Sequence, residues 1–235
     1  MFAFLVNAGT VVIGSIIGLL FRKRIKKETC DQVLKALGIV VLMIGIFGVI
    51  ENMISIKDGK VSFEGTLLLI IAITLGTFIG EGLKIENTIN NFGEKIEAKF
   101  KKGKIAEGFI VSTLLYCVGS MTIVGSLESA LGEPNTIYLK AALDGITSIA
   151  LASTLGFGVM LSSLSIIVYQ GLLTGLFLIL GNFLPSDFIV SFGMVGYVMV
   201  AANGLNFLIK DKIKVANMLP SILVVIVYHL IMLCF

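Results

Sequence analysis

Apolar residues along this chain come in blocks near twenty long, without the period-two alternation of half-buried strands. The blocks cover residues 2–21, 37–55, 65–83, 108–127, 140–161, 163–183, 187–208 and 217–235. Twenty helical residues at about 1.5 Å each cover the roughly 30 Å of bilayer hydrocarbon, so the block length argues for spanning rather than for buried core helices. Inside hydrocarbon every backbone amide needs an internal partner. Long apolar runs without alternation therefore predict helices and not a barrel. The expected fold is all-α: a polytopic transmembrane bundle of about eight spans, forming a single integral membrane domain over residues 1–235. The thinnest junction is between the fifth and sixth blocks, where Ser162 and Ser163 are the only break. A seven-span reading, with one long or re-entrant segment, stays open there.

Composition agrees with this pattern. The chain is 57% apolar and only 14% charged, with a mean hydropathy of +1.03, whereas soluble domains are about a quarter charged. Its 26 glycines suit helices that pack closely in a membrane. Charge then orients the spans. No basic residue precedes the first block, and Arg22, Lys23, Arg24, Lys26 and Lys27 follow it directly. It reads as an anchor with its N-terminus outside, not as a cleaved signal peptide, in which positive charge comes first. Alternating from there, the segments 22–36, 84–107 and 209–216 fall in the cytoplasm and hold all but Lys57, Lys60 and Lys140 of the 18 basic residues. This is a strong positive-inside signal and points to a bacterial inner membrane. The net charge of +3 is what such a topology produces by itself, so no nucleic-acid partner is expected. Within the second cytoplasmic segment, Ile85, Ile89, Phe92, Ile96 and Phe100 stand at helical spacing between polar residues. They predict an amphipathic helix over about 85–105 on the inner leaflet, whose lysines would meet anionic lipid headgroups.

The sequence also repeats. Gly14-Ser15-Ile16-Ile17-Gly18 in the first span matches Gly76-Thr77-Phe78-Ile79-Gly80 in the third. Ile46-Phe47-Gly48-Val49-Ile50-Glu51 closes the second span as Ile123-Val124-Gly125-Ser126-Leu127-Glu128 closes the fourth. Two landmarks in the same order suggest a duplicated two-helix hairpin, with copies over 1–55 and 65–131. An even number of spans per copy makes the copies parallel, related by an axis along the membrane normal. The glycine pairs four apart are read first as surfaces where helix backbones approach, and so many small residues would also allow a homo-oligomer.

Candidate chemistry is confined to polar residues inside the spans. Cys30, Cys117 and Cys234 lie far apart, in no metal or redox spacing, and His229 is the one histidine. No metal, cofactor or enzyme is therefore expected: the chain has no His-Glu zinc pattern, no nucleophile elbow and no phosphate-cradling loop. A charge at mid-bilayer costs about 2.5–3.5 kcal/mol, so intramembrane polar groups invite explanation. Glu51, Glu128 and Asp144 fall near the outer ends of their spans and would form an acidic outer vestibule for a cation or proton. Deeper in the spans lie Gly119, Ser120 and Thr122, then Thr147, Ser148, Ser153 and Thr154, then Gln170, then Asn203 and Asn206. Glycines beside hydroxyl and amide groups allow a helix to unwind and turn its backbone toward a solute. Each hydroxyl taken singly has a plainer role, bonding its own helix.

The strings Tyr116-Cys117-Val118-Gly119-Ser120-Met121-Thr122, Leu143-Asp144-Gly145, Ala152-Ser153-Thr154-Leu155-Gly156-Phe157-Gly158, Tyr169-Gln170-Gly171 and Ala202-Asn203-Gly204-Leu205-Asn206 carry a likeness over nearly the whole chain. The chain resembles the bacterial YqgA/YdfK-like membrane proteins, the family of the domain of unknown function 554. The resemblance implies small residues such as alanine where Ser120 and Thr122 stand. It further implies a polytopic inner-membrane protein with a transport role, and it brings no substrate or catalytic residue. The expected function is thus a transporter or channel for a small solute or ion, with membrane lipids and a small solute or cation as partners. The alternative is a non-transporting scaffold or sensor that binds lipid or a partner through its lysine-rich cytoplasmic helix.

Overall fold

The computed structural model describes residues 2–22, 27–57, 60–100, 104–117, 120–181 and 185–232. Helices dominate them: α1 (Ala3–Leu20), α2 (Lys27–Met53), α3 (Thr66–Leu83), α4 (Ile85–Phe100), α5 (Lys104–Cys117), α6 (Ser120–Ala130), α7 (Asn135–Leu155), α8 (Gly158–Gly181), α9 (Ser186–Asn206) and α10 (Pro220–Met232). A 3₁₀ turn, Val215–Met218, leads into α10. Between α2 and α3 lies an antiparallel hairpin of β1 (Ile54–Lys57) and β2 (Lys60–Phe63), pairing Ile54 with Phe63 and Lys57 with Lys60.

The chain's three prolines all mark helix starts. Pro134 and Pro185 precede α7 and α9, and Pro220 is the first residue of α10, where a missing N–H costs no helical hydrogen bond. Gly156, at φ +82°, separates α7 from α8 in a backbone region that only glycine enters freely. The break predicted at Ser162–Ser163 is therefore six residues too late. Both serines lie inside α8, their hydroxyls bonded back to the carbonyls of Val159 (2.6 Å) and Met160 (2.8 Å). A serine that satisfies its hydroxyl this way need not interrupt a helix.

Six stretches are long and apolar enough to cross a membrane by themselves: α1, residues 31–53 of α2, α3, α8, α9 and residues 215–232. The pair 108–117 and 121–130, bent by 61°, is apolar enough to make a seventh if its two helices count as one broken span. It occupies the fourth predicted block as a broken element. The fifth block corresponds to α7, which carries Lys140, Asp144 and several hydroxyls and is less apolar than the six. The amphipathic segment appears as α4, from Ile85 to Phe100.

Burial runs opposite to that of a soluble protein. On α1 the covered positions are Ala3, Asn7, Ala8, Val11, Gly14, Ser15 and Gly18, while Leu5, Ile13, Ile16 and Leu20 are exposed. Phe78 of α3 and Leu172 of α8 are also open, at 78% and 70%. Polar and small groups inside with large apolar groups outside is the arrangement a bilayer selects.

Two compact units can be described. The first comprises residues 1–37 and 88–182, and the second residues 38–87 and 183–235. In the first, α1 packs on α7 and α8, and α5 and α6 pack on α8. The Gly14–Gly18 pair makes the α1–α7 approach possible. A Cβ at Gly14 would fall on the Gly145 carbonyl, and one at Gly18 on the Ile149 carbonyl. In the second unit α3 packs on α10 and the 3₁₀ turn. There Gly76 faces Ser221 and Gly80 faces the Asn217 carbonyl, with no room for a side chain. Both repeated glycine pairs are thus close-packing surfaces, each against a later helix of its own unit.

Candidate functional site

The polar interior of the first unit is organised around α7. Lysine and aspartate four residues apart share a helix face. Lys140 Nζ lies 2.7 Å from Asp144 Oδ2, with only 7% and 10% of the two side chains exposed. The same oxygen accepts a hydrogen bond from Asn7 Nδ2 of α1 at 3.1 Å, and Asn7 Nδ2 also donates to Gln170 Oε1 of α8 at 3.2 Å. Asn7 and Gln170 are fully buried. The chain Lys140–Asp144–Asn7–Gln170 therefore ties three helices together.

The carboxylate sets the sense of this chain. An ionised carboxylate only accepts, so Asn7 must turn its nitrogen to Asp144, and Gln170 must answer that nitrogen with its oxygen. The arrangement leaves Asn7 Oδ1 and Gln170 Nε2 buried without a hydrogen-bond partner among the described residues. Ser15 Oγ, two turns along the same face of α1, is likewise buried and unpartnered. One turn after Asp144, Ser148 Oγ donates to the Asp144 carbonyl (2.7 Å). Its single proton is thereby used, so the Tyr116 hydroxyl, 2.7 Å away, is the donor to Ser148. The Thr10 hydroxyl of α1 lies 2.8 Å from both the Asn7 carbonyl of its own helix and the Ala141 carbonyl of α7 and shares its proton between them, a reach that depends on the close α1–α7 packing. Gly145 helps, since a side chain there would press on Thr10.

Of the residues singled out in the sequence, Asp144 and Gln170 come together, through Asn7. The span read as 140–161 is a helix over 135–155, and this shift moves Asp144 from an outer end to the middle of α7, roughly 13–16 Å from the helix ends at about 1.5 Å per residue. Lys140, read as an outer boundary because it is charged, is the buried partner of that carboxylate. Thr122 is buried and bonds the Tyr116 carbonyl at 3.2 Å across the α5–α6 bend. Gly119 lies outside the described residues, as does the side chain of Ser120. Ser153 and Thr154 bond carbonyls of their own helix, Ala150 and Leu151 among them.

Asn203 and Asn206 belong to the second unit. Asn203 donates to the Met199 carbonyl, and Asn206 clasps the backbone of Ile213, its amide nitrogen donating to the carbonyl and its amide oxygen accepting from the N–H. Glu51 is an exposed residue of α2 in the second unit. Glu128, in the first, accepts the Thr136 N–H at 3.2 Å and so caps the start of α7. These two glutamates and the buried Asp144 thus have three separate settings. The second unit also holds a cavity of about 530 Å³, whose wall includes Asn52, Glu64, Asp187 and His229. His229 Nε2 is 3.0 Å from Ser191 Oγ, and the ring stands edge-on to Phe188 and Tyr228. Among the described residues no three His, Cys, Asp or Glu side chains stand together as metal ligands.

Comparison with known proteins places these features in a family without assigned chemistry. An uncharacterized membrane protein of Bacillus subtilis (strain 168), YdfK, is 33% identical over 225 residues, 95% of this chain and 93% of its own. The uncharacterized protein YqgA of Escherichia coli (strain K12) is 24% identical over 226 residues, 93% of this chain and 92% of its own. No solved structure matches. The family model described as protein of unknown function (DUF554) matches residues 2–230, and the chain, a membrane protein of several apolar helices, belongs to that family.

Proposed function

We propose that this chain is a transporter or channel for a small solute or ion in the bacterial inner membrane, with the Lys140–Asp144–Asn7–Gln170 chain as the site that handles it. A buried polar network can also serve only to hold helices together, and full satisfaction of its members is what makes such a network worthwhile. The observation that carries the transport reading is that this one is unfinished. Asn7 Oδ1 and Gln170 Nε2, an acceptor and a donor, are buried and unpaired beside an ion pair. Leaving each unpaired in an apolar interior costs about 1–3 kcal/mol, an expense that a solute with complementary groups would offset. Ionisable residues deep among membrane helices mark ion and solute paths for the same reason. The buried hydroxyls of Ser148 and Ser15 extend the polar line along α7 and α1.

Flux through purified protein in liposomes tests this. With a pH or monovalent-cation reporter inside, the parent is expected to dissipate an imposed gradient. Asp144→Asn and Gln170→Leu are expected to slow it at least about tenfold, the effect of losing about 1.4 kcal/mol. Gln170→Leu leaves the ion pair intact and is expected to keep the helix content and monodispersity of the parent, while Asp144→Asn, which leaves Lys140 without its counter-charge, is compared in its folded, monodisperse fraction. Equal flux in parent and variants would remove the network from the path.

A further inference from the structure

The net charge of the buried pair limits what can enter. Lys140 and Asp144 sum to zero, and an unpaired charge in a low-dielectric interior is heavily penalised. A cation that displaced Lys140 from the carboxylate would force its ammonium out to water, yet that side chain is held by the i,i+4 geometry of α7 and is 7% exposed. A proton needs no coordination shell and takes only a lone pair of Asp144. Once Asp144 is neutral, two donors that converge on one oxygen, Lys140 Nζ at 2.7 Å and Asn7 Nδ2 at 3.1 Å, have lost their anion.

Resting on the transport reading above, we propose that the site takes up one proton and one small monovalent anion together. The proton goes to the Asp144 carboxylate, which becomes a neutral acid. The anion takes over the ammonium of Lys140 and the one Asn7 N–H that Asp144 releases, the other staying on Gln170 Oε1. The charge of the pair together with what it holds is zero before and after. Both unpaired atoms then have uses. Asn7 Oδ1 offers an acceptor for the new O–H of Asp144, and Gln170 Nε2 offers a further donor to the anion. Among the described residues, the other titratable groups near the pair are Tyr116, bonded to Ser148, Cys117 at the end of α5, and the Glu128 carboxylate, which caps α7 at Thr136 one turn before Lys140. The described part of α1 packed on α7 brings amide and hydroxyl groups, Asn7 and Thr10.

Two measurements with chloride and nitrate as probes decide it. In weakly buffered detergent solution, adding nitrate to the parent protein is expected to withdraw about one proton per chain from the medium, and Asp144→Asn and Lys140→Gln to withdraw none, as linkage requires. In liposomes with the potential clamped at zero, an inward nitrate or chloride gradient is expected to acidify the lumen, and clamping instead at a positive or a negative potential to leave the rate unchanged. The double variant Lys140→Gln/Asp144→Asn keeps a neutral interior, folds, and is silent in both. Anion-linked proton uptake without flux would keep the site and remove the transport reading. Proton flux driven by sodium or potassium gradients, without anion, would keep transport and overturn this proposal. Neither signal would overturn both.

Discussion

Asp144→Ala is expected to be the most damaging single substitution in the chain. It leaves the Lys140 ammonium buried at the centre of the first unit with no counter-charge, and breaking a buried ion pair from one side costs roughly 3–5 kcal/mol. Lys140→Ala leaves the carboxylate in the same position, although Asn7 still donates to it, so its loss should be somewhat smaller. The pair Lys140→Met/Asp144→Leu removes both charges, and exchanging a buried pair for apolar groups of similar volume is often neutral or stabilising. The expected pattern is therefore two strongly destabilised single variants and a double variant close to the parent. Unfolding in a mixed detergent series, read by circular dichroism, measures it. A double variant as unstable as the sum of the singles would show that the two side chains are not coupled.

The second large effect is steric and lies on α1. Gly14→Val would drive a branched side chain into the Gly145 carbonyl and against the Ser148 side chain. Overpacking of this kind costs about 1–3 kcal/mol and at times more. It also pushes α1 away from α7, which lengthens the Asn7–Asp144 hydrogen bond, so flux should fall with stability. Gly9 on the same helix is the internal control. A Cβ there meets nothing within 4 Å, and Gly9→Ala is expected to gain up to about 1 kcal/mol from helix propensity alone. Equal effects at the two positions would mean that α1 and α7 do not touch through Gly14.

The architecture was legible because one physical signal dominated. Blocks near twenty residues long fix both helix and environment, and α1, α3 and α9 fall within a few residues of the runs at 2–21, 65–83 and 187–208. Where a helix carries charge, the same signal misplaces its ends. Lys140 truncated the fifth block, although its i,i+4 spacing to Asp144 was there to be seen, and Asn7 was overlooked among the apolar residues of the first block. What no spacing could supply is that Asn7 and Gln170, 163 positions apart, meet through a third helix. The hairpin β1–β2 went unread beside the membrane blocks, although Asp58-Gly59 between Ile54–Lys57 and Lys60–Phe63 is a two-residue hairpin signal. The asparagines at 203 and 206 looked like site residues by composition, but amides at a helix end are equally suited to clasping a turn, and Asn206 does so with Ile213.

The central claim is that the buried network receives a solute from water, and thiol accessibility tests it most directly. With Cys30, Cys117 and Cys234 replaced by serine or alanine, single cysteines are placed at Asn7, Ser148 and Gln170, with one at the lipid-facing Leu172 as control. Labelling by a small water-soluble, membrane-impermeant thiol reagent is then followed in sealed vesicles of both orientations. The expected result is labelling at 148 or 170 from at least one side, slowed by nitrate or chloride, and none at 172. Cysteines at 7, 148 and 170 that stay unlabelled from both sides in folded protein would contradict the claim and leave the network as structural glue.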